Sequence, residues 1–135
     1  MKVFCGILPI FIFSSLFAQS TPASGHKKSD TAKKSAPVSY KKDIAPIFKF
    51  YCLPCHTEDQ MNPSQLYLDT YENMMAGGKH GKAIIAGKAD SSFILQKLSF
   101  KPPFGDPMPM KRKTPFPQDT LNIIKKWIEQ GAKNN

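Results

Sequence analysis

The sequence predicts an all-α fold, and three observations carry that expectation. Apolar residues recur at helical spacing in two stretches, first Ile44, Ile47, Phe48 and Tyr51, then Leu121, Ile124, Trp127 and Ile128. Twelve prolines among 135 residues leave little room for long sheet-forming runs. Six of the twelve gather in residues 99–117, which therefore read as a stiff, irregular strap. The folded part, 38–135, has the length of one small domain, with a modest core that a large apolar cofactor would complete.

Residues 1–18 read as a signal peptide. Lys2 supplies the positive end, Val3 to Phe13 is almost wholly apolar, and Ser14 to Ala18 offers small residues for cleavage after Ala18. Export to the periplasm, or otherwise across the cytoplasmic membrane, follows. The alternative is an uncleaved anchor, for which the apolar run is short. Cys5 leaves with the leader. Residues 19–37, rich in Lys, Ser, Pro and Ala and without a large apolar side chain, read as a disordered tether with His26 solvated.

Within the folded part, Asp43 is placed to cap a helix with Pro46 in its first turn, running straight into Cys52. Asn62 and Pro63 mark a turn. A short helix over 70–76 stops at Gly77-Gly78, and Ile84 and Ile85 form a short extended piece. Asp90 or Ser91 caps a helix whose apolar face is Phe93, Ile94, Leu95 and Leu98. After the strap, Asp119 and Thr120 open the last helix, and Gly131 ends it.

The chemistry lies in Cys52-Leu53-Pro54-Cys55-His56. This is C-x-x-C-H, the attachment pattern of haem c. Two thiols one helical turn apart can each reach a vinyl group of a porphyrin, and the adjacent imidazole then lies beneath the iron. The pattern predicts one haem c per chain, with thioether bonds to Cys52 and Cys55 and His56 as proximal ligand. A structural disulfide would close too small a loop to restrict the unfolded chain much. A zinc site needs about four N or S ligands, and a redox dithiol needs a βαβ setting. Neither is visible.

Met108, between Pro107 and Pro109, is the expected distal ligand, because a rigid strap can hold a weak thioether at fixed distance from the iron. Met110 is the alternative. Met61, Met74 and Met75 read as packing residues, and His80, between glycines, as solvated or as a support behind the iron ligands. Phe104 and Phe116 either wall the cofactor or simply pack. Gly77 to Lys82 lacks the spacing of a phosphate loop. No base–nucleophile constellation appears, so the expectation is an electron carrier and not an enzyme. The alternatives are a haem enzyme or gas sensor with an open sixth position, and a haem-bearing docking subunit of a larger oxidoreductase.

The whole chain carries a formal charge of +9, and residues 38–135, with 14 basic and 9 acidic side chains, carry +5. Such an excess suits a redox partner with an acidic docking surface, and allows peripheral association with anionic membranes. The lysines are scattered and not interleaved with stacking aromatics, which argues against nucleic acid.

From Tyr40 to Ala132 the chain resembles the planctomycete-type cytochrome c domains. The resembling pieces are Asp43-Ile44-Ala45-Pro46-Ile47, Cys52 to His56, Leu66-Tyr67-Leu68-Asp69-Thr70-Tyr71 and Gly77-Gly78. They continue with Ser92-Phe93-Ile94-Leu95, Met108-Pro109, Trp127-Ile128 and Gly131-Ala132. The resemblance implies a cytochrome c-like fold, with N- and C-terminal helices packed around one covalently bound haem, and His56 and Met108 as axial ligands. Met110 stands where the family commonly has a second proline, and Ala86 where it commonly has proline.

Overall fold

The structure, a computed structural model, describes residues 36–135. The expected signal peptide, Cys5, His26 and nearly all of the expected tether lie outside the described residues.

Helical structure begins earlier than the sequence suggests. A π-helical turn, Tyr40–Ile44, leads directly into helix α1, Ala45–Tyr51. Asp43 is not the cap. Ser39 is: its hydroxyl accepts from Lys42 N at 3.4 Å, while Asp43 Oδ2 accepts from Ser39 N at 2.8 Å. This reciprocal arrangement satisfies two donors that would otherwise have no partner. Pro46 sits in the first turn of α1, where its missing N–H costs nothing.

Helix α2, Tyr71–Ala76, is capped by Thr70, whose hydroxyl accepts from Asn73 N at 3.1 Å. It stops at Gly77, which has φ +89°. Ala86 and Gly87 form a turn, and Ile84 and Ile85 before it belong to no helix, strand or turn. Among the described residues there is no strand, only an isolated bridge between Gly78 and Gly81. A single 3-10 turn, Ala89–Ser91, precedes helix α3, Phe93–Leu98. The residue before α3 is Ser92, which corrects the expected cap at Asp90 or Ser91. Its fully buried hydroxyl donates to Lys88 O at 2.9 Å and accepts from Ile85 N at 2.9 Å, tying the preceding turns together. Helix α4, Gln118–Glu129, starts one residue before Asp119, and Gly131 at φ +97° lies just past its end.

The core gathers around α4. Ile124, Trp127 and Ile128 are fully buried, as are Ile44, Met74 and Ala132. The π-helical turn and α1 meet α4 through aromatic contacts: Tyr40 stacks on Trp127 with ring centroids 5.7 Å apart, and Phe48 meets it edge-on at 6.5 Å. Offset and edge-on pairs of this kind contribute about 0.5–1.5 kcal/mol beyond their buried area. Among the described residues no helix is long and apolar enough to cross a membrane.

Candidate functional site

Helix α1 ends at Tyr51, yet its hydrogen bonding carries on through the motif. Cys52 N and Leu53 N donate to Phe48 O, and Cys55 N and His56 N donate to Cys52 O at 3.1 and 2.9 Å. The two cysteines thus bracket one helical turn, with His56 immediately after it. Both thiols are free. Cys52 packs against the core, and burial pushes its thiol up to about 12; Cys55 is exposed. Among the described residues no three His, Cys, Asp or Glu side chains are grouped as ligands of a metal ion.

The imidazole is fixed by the loop that follows. His56 Nδ1 lies 2.8 Å from Leu66 O. A carbonyl oxygen only accepts, so Nδ1 carries the proton and donates. Nε2 is then the ring nitrogen left to bind a metal. The loop is held by its own backbone and by Gly78. Leu68 N donates to His56 O at 2.8 Å, and Lys79 N to Ser64 O at 2.8 Å. A Cβ on Gly78 would stand 2.5 Å from Ser64 O, so only glycine permits this approach.

Met108 is half-buried and packs against the core, and its N–H donates to Lys97 O at 2.7 Å at the end of α3. Met110 is 58% exposed. The two expected candidates are thus separated by burial. Arg112 holds the same strap. Its guanidinium donates to Leu98 O at 2.7 Å, to Ser99 O, and to Thr114 O at 3.3 Å. The Nε of Arg112 is buried without a partner among the described residues, an unused donor on the segment that carries Met108.

The remaining expectations divide. Met74 is buried and Met75 partly so, but Met61 is wholly exposed and packs against nothing. His80 is exposed in its turn. Phe116 is buried against Tyr51, with ring centroids 4.7 Å apart, whereas Phe104 is half exposed and meets Phe93 edge-on. Trp127 is core, with its indole N–H donating to Lys133 O at 3.0 Å. Sequence reasoning missed Leu66 O, Asn62 and Arg112. Asn62 reads only as a turn marker, and no local pattern signals the other two.

These residues fit a haem: free thiols around one turn, an imidazole held through Nδ1 with Nε2 left over, and a half-buried thioether on a clamped strap. A helical domain with this motif after its first helix falls in the class of c-type cytochrome domains. Residues 52–106 match the family described as Planctomycete cytochrome C. The match spans the motif, α2 and α3, and stops before Met108. No curated protein and no solved structure matches the chain.

Proposed function

We propose that this chain is an exported, single-haem c-type cytochrome that passes electrons between redox partners. The observation that carries the reading is the His56 Nδ1–H···O=C bond to Leu66, which leaves Nε2 open beside two free thiols. In this reading Cys52 and Cys55 hold one haem c through thioether bonds, His56 is the proximal ligand and Met108 the distal one. The bound haem supplies one-electron chemistry. The chain's own part is to hold the ligands still. His56 is fixed through Leu66 O, and Met108 through Lys97 O and the Arg112 clamp. Ligands that barely move between oxidation states keep reorganisation small, which suits a carrier and not an enzyme.

The strap is also the favoured docking face. Lys101, Lys111 and Lys113 are exposed along it, with Phe100, Phe104 and Met110, against the single acid Asp106. Such a surface suits a protein partner with an acidic patch, steered by charge and held by apolar contact. Export rests on residues 1–18 as a cleaved leader.

The test is expression in a host that assembles c-type cytochromes. The mature chain is expected to begin after Ala18 and to weigh one haem more than its polypeptide. Its ferric spectrum should show a methionine–iron charge-transfer band, and its ferrous form should take up carbon monoxide slowly or not at all. A bare polypeptide mass overturns the reading. Rapid carbon monoxide uptake replaces the carrier with a haem enzyme or sensor whose sixth position is open.

A further inference from the structure

His56 does not have Leu66 O to itself. Asn62 Nδ2 lies 2.7 Å from the same carbonyl oxygen and 3.0 Å from His56 Nδ1. The orientation of the amide follows from its other contacts. Asn62 Oδ1 faces two donors, Ser64 N at 3.2 Å and Ser64 Oγ at 2.7 Å, so it must be the oxygen. The nitrogen must then point at Leu66 O and donate. Because Nδ1 also carries its proton, the 3.0 Å approach is not a hydrogen bond. It is the side-by-side placement of two donors on one acceptor. The loop accepts strain to reach this arrangement: Gln65, between Ser64 and Leu66, has φ +51°, a left-handed conformation costing about 1–2 kcal/mol for a residue with a side chain.

The geometry points to Asn62 as a positioning residue that tunes His56. This rests on the reading of His56 as an iron ligand. An imidazole whose Nδ1–H meets a strong acceptor becomes more basic at Nε2 and favours ferric iron. A carbonyl already taking a hydrogen bond from Asn62 is a weaker acceptor for His56. Asn62 therefore holds the imidazole nearer to neutral and keeps the reduction potential high, while its amide fixes the carbonyl in place.

The test uses the mature, haem-bearing protein. In Asn62→Ala, Leu66 O serves His56 alone; the potential should fall, and the His56 Nδ1–H resonance of the ferrous form should move downfield. In Asn62→Asp, Oδ1 is kept for Ser64 while an acceptor replaces the amide nitrogen beside Nδ1–H, and the potential should fall further. Ser64→Ala removes one of the two bonds that orient the amide and should shift the potential the same way by less. A residue that merely shapes the loop would lower stability in all three variants and leave the potential and the resonance where they are. That result overturns the inference while the haem-bearing wild type leaves the electron-carrier reading standing. A wild-type chain that matures without covalent haem overturns both.

Discussion

Tyr40 lies nearly flat against Trp127, with ring centroids 5.7 Å apart and planes 28° from parallel. Through this pair the first helical turn and the last helix share one aromatic centre, which Phe48 closes from the side. Trp127 has no exposed surface, and its indole N–H is spent on Lys133 O. Replacing it leaves a cavity between the two ends of the fold. Trp127→Ala should cost about 3–5 kcal/mol in denaturant unfolding of the mature protein. A cost under about 1 kcal/mol would remove Trp127 from the core.

Tyr40 also makes stability depend on pH. Its hydroxyl titrates above the ordinary 10.0, first because it is buried, then because the negative charge of Glu72, an ionised Tyr71 and Asp69 oppose its ionisation. As pH rises through about 10, the unfolded chain gives up this proton before the folded one does. The stability is therefore full below about 10 and is lost as pH climbs through the higher folded value. Tyr40→Phe should flatten that decline. Unfolding free energies measured by circular dichroism from about pH 8 to about pH 11 should fall less in the variant than in the wild type.

Met108 and Met110 offer a direct contrast. Met108 is half-buried with its N–H tied to Lys97 O, and Met110 is mostly exposed. Met108→Ala should abolish the methionine–iron charge-transfer band, lower the potential and let carbon monoxide bind readily. Met110→Ala should leave all three unchanged. The reverse pattern would transfer the distal role to Met110.

Gly78 supports the loop that holds His56. A methyl group there would stand 2.5 Å from Ser64 O and 2.9 Å from Leu66 N, both of them backbone atoms that cannot yield cheaply. Gly78→Ala should destabilise by about 1–3 kcal/mol. By displacing Leu66 O it should also move the reduction potential. A variant with wild-type potential and stability would show that the 62–66 loop tolerates the displacement.

Much of this domain can be read locally. Helix α2 follows from Thr70 as cap and Gly77-Gly78 as stop, and α4 from its apolar stripe and Gly131. The C-x-x-C-H turn needs only five consecutive residues. Caps are less secure. Asp43, Asp90 and Ser91 all carry capping side chains, but Ser39 and Ser92 occupy the positions. Several neighbouring residues share the same capability, and the turn that each helix packs from decides among them.

The amino-acid order alone determined that the domain is helical, that two thiols and a histidine share one turn, and that a proline-rich strap presents two methionines. Those features depend on spacing within a few residues, which any chain with these side chains must respect. The difference in burial between Met108 and Met110, the exposure of Met61 and the sharing of Leu66 O by His56 and Asn62 depended on the tertiary structure. Each requires a loop or strap to be laid against a distant element, Gly78 under Ser64 or Arg112 at the end of α3, and residue spacing carries no record of such contacts.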